Sequence, residues 1–272
     1  MLTPSKTRNQ GTCVLNAEER FLPHLREINR KFPKLRIVLE HCTTAAAVEA
    51  VSFTLCLLPS PRARHPPACL LTPTAPPSAQ VKSLPPNVVA TITPHHLALT
   101  IDGACSTSLG FCKPLAKFPS DRAALRAAVR DGNPKFFLGS DSAPHPASSK
   151  LPALQVAQVQ AADGTTVDEV TLPSPCAAGI YTSSNLVPLT AELFERAQIP
   201  LERLEGFCSR FGREFYGFPA KEGDEVTIRR TTAGGEGGKV VDKAFRFKTD
   251  KGEDEFVIPF LAGERIGWEI AE

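Results

Sequence analysis

Residues 135–145 read KFFLGSDSAPH, an apolar run that stops at Gly139 and gives way to a carboxylate, Asp141, and an imidazole, His145. A continuous apolar run of strand length is the pattern of a strand buried on both faces, as in a parallel sheet. In a barrel of parallel strands the chemistry is built at their carboxyl ends. The fold therefore turns on whether other strands end the same way. LRIVLEH (35–41) does, closing on His41. VVATITPHHL (88–97) is a further β-branched run, ended by Pro94 and carrying His95 and His96. Adjacent side chains on a strand point to opposite faces, so at most one of that pair enters a shared site.

Helical segments alternate with these runs. In 16–32, Asn16 is placed to cap, Glu18 and Glu19 suit the first turn, and Phe21, Leu25, Ile28 and Phe32 share a face. Pro23 falls near the first turns, where it costs least. Thr43 and Thr44 open TTAAAVEA. Ser120 is expected to cap SDRAALRAAVRDG, which Gly132 closes. PLTAELFERAQ (188–198) and residues 199–217 read as two more helices. Beyond Asp224 come short β-like runs, VTIRR, KAFRFKTD and DEFVIPF, with a turn or loop at the glycine cluster 234–238. Strands alternating with helices define βαβ units, and the fold class expected is an α/β (β/α)8 barrel.

Bulk properties narrow the function. The chain has 272 residues with 31 basic and 29 acidic side chains, a net charge of +2. Nothing in that balance suggests a dedicated nucleic-acid binder. No apolar run reaches the length of a membrane span, and the first residues lack a secretory signal. The eight cysteines form no CxxC and read as reduced thiols of a cytoplasmic protein.

Two segments interrupt the pattern. Residues 51–80 carry seven prolines in the middle of a helix. Excising them joins TTAAAVEA to VKSLPPNVVATIT and places Val48, Val81 and Leu84 at three-residue steps. The thirty residues keep the reading frame; Val51-Ser52 can be encoded GTGAGT and Gln80 CAG, so the segment is expected to be a translated intron. A disordered Pro-rich surface insert is the alternative. The second segment, 148–174, reads as a flexible loop insert.

Singly, each polar residue has a bland reading. His41 is the type of residue that caps a strand, Asp141 is placed to cap a turn, and His145 to sit in a loop. Together, His and Asp at separate strand ends suit zinc, which takes imidazole and carboxylate and activates water for hydrolysis. The sequence has no GxSxG, P-loop or GxGxxG at a strand–helix turn.

LEHCTTAAAVEAV, ATITPHHL, FCKPLAK, FFLGSDSAPH, CAAGIY (176–181), GFCSRFGREFYGFP and IPFLAGERIGWEI, in that order, resemble the dihydroorotase family of monofunctional bacterial and fungal type. The resemblance implies a (β/α)8 amidohydrolase with two zinc ions. The implied reaction interconverts N-carbamoyl-L-aspartate and L-dihydroorotate in pyrimidine synthesis. His41 matches a zinc ligand, and Asp141 a zinc-binding carboxylate that is also general base and acid. His145 matches a residue holding the substrate carboxylate, Ala178 a substrate-contacting position, and Lys113 a position whose backbone meets the pyrimidine ring. The small-molecule substrate and a tendency to homodimerise are implied with them.

The departures are as specific. The family's HxH pair, its carboxylated lysine, a further zinc histidine and a substrate-gripping Arg and Asn find no match, and residues 1–13 resemble nothing in the family. The expectation is the C-terminal half of the barrel over 14–272, binding zinc weakly and turning over little or no substrate by itself. An inactive fragment working through a partner subunit, and another cyclic amidohydrolase such as a hydantoinase or allantoinase, are the rival readings.

Overall fold

The computed structural model describes residues 11–52, 84–153, 155–160, 165–171, 175–221, 223, 225–231 and 238–271. The expectations for 1–10, for nearly all of 51–80 and for most of the glycine cluster fall outside these residues. At the centre lie three parallel strands in the order β1 (Ile37–Leu39), β2 (Val88–Ile92), β3 (Phe136–Leu138). The register sets Leu39 beside Ala90 and Ala90 beside Phe136. The parallel path runs on through bridges from Ser142 to Ile180 and from Tyr181 to Pro259. β2 is buried along its whole length, as a continuous apolar run requires. β1 is only half-buried, contrary to the reading of LRIVLEH, because β2 covers one edge and no strand among the described residues covers the other.

Helices make the crossovers. They are α1 (Ala17–Lys31), α2 (Ala45–Ser52), α3 (Pro94–Ala98), α4 (Ile101–Ser106) and α5 (Pro119–Arg130), followed after β3 by α6 (Ala147–Lys150), α7 (Leu186–Arg196) and α8 (Phe211–Tyr216). Val88, Ala90, Ile92 and Phe136 point from the sheet into one core with Leu22, Leu25, Val51, Leu125, Phe194 and Phe207. Val89 and Phe137 face the other side, where Phe211 covers them. Each large side chain so buried stabilises the fold by about 1.5–3 kcal/mol.

The amino end of α2 is closed by two distant carboxylates. Glu18 accepts the backbone N–H and hydroxyl of both Thr43 and Thr44, and Asp121 accepts the N–H of Ala45. Thr44 caps the helix locally, its hydroxyl accepting the Ala47 N–H. At the other end the Leu84 N–H donates to the Ala50 carbonyl at 3.1 Å. The chain thus returns, after 51–83, to the place where it left α2.

Several elements depart from expectation. In α1 the buried row is Leu22, Leu25 and Asn29, and Ile28 and Phe32 are exposed, because the core lies on the adjacent stripe. Asn16 spends its carbonyl on the Cys13 N–H rather than on the helix. α5 begins at Pro119, with the Asp121 carboxylate accepting the Phe118 N–H, so Ser120 is inside the helix. Residues 199–217 form a 3₁₀ turn (Leu201–Arg203), a π-turn (Gly206–Arg210) and α8. The Phe211 ring lies so close to Gly206 that a Cβ there would sit 2.7 Å from it, and the wide turn lets both Phe207 and Phe211 reach the core. Segment 148–174 contains an antiparallel hairpin, β4 (Gln155–Gln160) with β5 (Thr166–Thr171), where a loop was expected. The tail forms the three expected short strands, β6 (Ile228–Arg230), β8 (Phe245–Lys248) and β9 (Asp254–Val257), and three that were not expected, β7 (Lys239–Val240), β10 (Arg265–Ile266) and β11 (Trp268–Ile270), paired 6–11, 7–10 and 8–9.

Candidate functional site

His41 and Asp141 lie just past the carboxyl ends of β1 and β3, flanking the end of β2. Both adopt left-handed backbone, φ 45° and 38°. Such strain in a residue with a Cβ concentrates where a side chain must be aimed. Thr91 of β2 fixes the first of them, its hydroxyl accepting the His41 N–H at 2.8 Å and its carbonyl the Cys42 N–H at 2.9 Å. Gly139 lets β3 approach, since a Cβ there would lie 2.7 Å from the Thr91 side chain. The Asp141 carboxyl is held above its ordinary pKa by burial; His41 draws it down and Glu40 pushes it up. His41 and Asp141 are thus within electrostatic reach of each other.

His145 follows on the loop after β3. Its Nε2 lies 3.0 Å from the Ala178 carbonyl, which makes it the donor and leaves Nδ1 for a ligand. Gly179 permits this approach, because a Cβ there would meet the Ala143 carbonyl at 2.6 Å and the His145 ring at 2.8 Å. Lys113 is exposed, in a cis peptide with Pro114, and its ammonium lies 6.0 Å from the Phe111 ring centre. A cavity of about 300 Å³ is lined by His145, Lys150, Gly179 and Tyr181 among others. His41 and Asp141 do not line it, so the structure brings the expected residues together as two neighbouring sets.

Among the described residues one group offers three ligand atoms within 4.8 Å of one another: His95, His96 and Cys112. The paired histidines are not on a strand, as the sequence suggested, but on the short helix α3. Both are therefore buried on one side, with rings 4.5 Å apart. His96 already has partners at both nitrogens, the Thr93 hydroxyl at 2.7 Å and the Pro114 carbonyl at 3.0 Å. Burial pushes the Cys112 thiol up to about 11 and His96 down to about 3. A metal here would have to displace those bonds and ionise that thiol, so we read the trio as packing beneath the site. A second cavity, lined by Arg122, Arg126, Arg130 and Arg196, is likewise structural. The first three donate to the carbonyls of Ala98, Leu97, Ala197 and Gln198 at the ends of α3 and α7.

Zinc takes His and Asp, and His41 and Asp141 are both half-exposed at the strand ends. Two donors do not fill the four positions of one tetrahedral ion, still less of a pair. The described residues therefore do not make a complete two-zinc centre. Thr91, Glu18 and Lys150 were missed by sequence reasoning. Each acts across 25 or more residues, and the only signal was a polar residue inside an otherwise apolar strand, at Thr91.

Parallel strands with helical crossovers, and polar residues gathered at their carboxyl ends, are the architecture of part of a (β/α)8 barrel. Comparison narrows the class. Dihydroorotase of Mycosarcoma maydis is 42% identical over 96% of this chain and 63% of its own length. That of Saccharomyces cerevisiae is 35% identical over 94% and 57%. The crystal structure of the Saccharomyces cerevisiae enzyme in complex with 5-fluoroorotic acid superposes with a TM-score of 0.68 at 31% identity, covering 98% of this chain and 59% of that one. L-Hydantoinase of Arthrobacter aurescens, at 14% identity and a TM-score of 0.58 over 93% of this chain and 46% of its own, shares the fold alone. No family model matches. The chain is similar to dihydroorotases along nearly its whole length and spans about three fifths of the length of the curated relatives it matches. No helix among the described residues is long and apolar enough to cross a membrane.

Proposed function

We propose that this chain supplies the proton-transfer and substrate-holding part of a dihydroorotase that interconverts N-carbamoyl-L-aspartate and L-dihydroorotate. The observation that carries this is a half-buried carboxyl at one strand end set across β2 from His41 at another, both on left-handed backbone. Asp141, aimed from the end of β3, is the general base and acid that takes a proton and returns it at the ring nitrogen. His145, its Nε2 held by the Ala178 carbonyl, presents its Nδ1 edge to the substrate carboxylate. The Ala178 segment and the Lys113 backbone border the ring. His41 and Asp141 are the two zinc donors this chain contributes. The family's pair of zinc ions needs more, and the 272-residue chain by itself turns over little or no substrate.

The test compares the chain alone, with zinc supplied, against a fusion in which the amino-terminal part of the Mycosarcoma maydis relative precedes residue 14. The fusion is expected to hydrolyse dihydroorotate, and Asp141→Asn to abolish that activity. Full activity in the isolated chain would overturn the incomplete-centre reading. An active Asp141→Asn fusion would overturn the role of the carboxylate. Cytoplasmic residence and a homodimeric assembly belong to the same proposal, tested by fractionation and by sedimentation.

A further inference from the structure

Lys150, the last residue of α6, is buried, yet its ammonium carries no carboxylate partner in any of its three close contacts. It donates instead to three backbone carbonyls: Phe111 at 2.9 Å, Ala177 at 3.0 Å and Gly179 at 2.9 Å. An ammonium has three donors, and all three are used. Two of the acceptors flank Ala178 on either side, and the Ala178 carbonyl is the one that receives His145 Nε2. The third belongs to the Phe111 segment, whose carbonyl also accepts the Gly179 N–H at 3.0 Å. The α6 backbone joins the same clamp: Ala177 N–H donates to Ser149 at 3.0 Å, and the Cys176 thiol to the Lys150 carbonyl at 3.4 Å. Burying a cation without a counter-ion is costly, and a hydrophobic residue would fill the place more cheaply unless the three carbonyls had to be gathered.

We infer that Lys150 is a positioning residue: by fixing the peptides on both sides of Ala178 it aims that carbonyl at His145, pins the ring as the Nε2–H tautomer, and keeps Nδ1 turned to the ligand. The inference rests on the assignment of His145 to an anionic ligand only for its purpose; the clamp itself is read without turnover. With the carbonyls of 177 and 179 released, the Ala178–Gly179 peptide keeps a single hold, the Gly179 N–H on a Phe111 carbonyl that Lys150 no longer anchors, and the Ala178 carbonyl drifts from the line of His145 Nε2. A planar guanidinium keeps donors in the same pocket and restores part of the hold.

The experiment is nitrogen-15 NMR of the imidazoles at pH 8.5 on the native chain, Lys150→Met and Lys150→Arg. In the native chain His145 is expected as a single Nε2–H tautomer. In Lys150→Met it becomes a mixture while the signals of His24, His41, His95 and His96 stay in place, and Lys150→Arg recovers the native tautomer in part. An unchanged His145 in Lys150→Met overturns the inference, as does a common shift of all histidines, which is what a merely structural lysine would produce. Should Lys150→Met not fold, the native chain decides: the Lys150 ammonium resonance persists at neutral pH where exposed lysines exchange away, and its absence overturns the clamp. The role of His145 is tested separately in the fusion: full dihydroorotate hydrolysis by its His145→Asn variant would count against that role and leave the clamp standing.

Discussion

Deleting residues 51–80 is expected to stabilise the chain. In the shortened chain Leu84 follows Ala50 by four, so the 3.1 Å bond between them becomes an ordinary helical i→i−4 bond. Val81 takes the place of Val51, which is fully buried, so the core keeps its residue; deleting 51–80 or 52–81 gives the same sequence. Closing a loop of roughly 33 residues rather than 3 between the bonded groups costs about 2 kcal/mol more, from (3/2)RT ln n. The deletion therefore adds about 2 kcal/mol, a rise in Tm of about 4–8 °C for a domain of this size. Urea unfolding followed by far-ultraviolet circular dichroism reads the gain. Deleting one residue more, 51–81, is the control. It brings Leu84 to three after Ala50, turns its side chain about 100° off the core, and forfeits about 2 kcal/mol of the burial that Leu84 now has. Equal stability of the two deletions, or no gain from the first, would refute the helix register. The same reading expects a mature transcript that skips these codons. A message that retains them would dispose of the intron while leaving the register intact.

Three further expectations follow from the site. Burial holds His96 at about 3 and His95 well below its ordinary value, so below pH 6.5 the unfolded chain binds protons these rings refuse. Stability is then lost as pH falls below 6.5, on the order of 1 kcal/mol by pH 5.5 for His96 and in the same direction for His95. A His95→Gln/His96→Gln variant should flatten that slope, and an unchanged slope in urea titrations speaks against the cause. Gly139→Ala should push Thr91 off the His41 N–H, cost about 1–3 kcal/mol and weaken zinc binding; full retention of both contradicts the close contact. Cys112, raised to about 11, should resist alkylation at pH 8 while exposed Cys13 reacts, as peptide mapping would show.

The strands and their polar ends were legible because an apolar run that stops on His41 or Asp141 needs no distant information. The family motifs carried the rest of the reading. What stayed hidden was long-range. Which stripe of α1 faces the core depends on where the sheet lies, and Ile28 and Leu22 look equally apolar in sequence. The helical turn at His95-His96 was concealed by the β-branched run before it, although Pro94 after Thr93 is also a helix-start signal, and Thr93 does cap α3 by accepting the His96 N–H. The π-turn at 206–210 arises from Phe211 seated on Gly206, a packing relation that no local propensity encodes.

The two carboxylates at the start of α2 also set a schedule. Glu18 precedes Thr44 by 26 residues, while Asp121 follows Ala45 by 76. On a ribosome adding about 5–20 residues per second, Glu18 has left the exit tunnel before α2 does, so α1, β1 and α2 can close their first clasp as soon as they emerge. The second clasp waits roughly 4–15 s for α5. Residues 51–80 sit inside that interval and lengthen it, so the half-capped helix that follows His41 is exposed longest in the form of the chain that carries them.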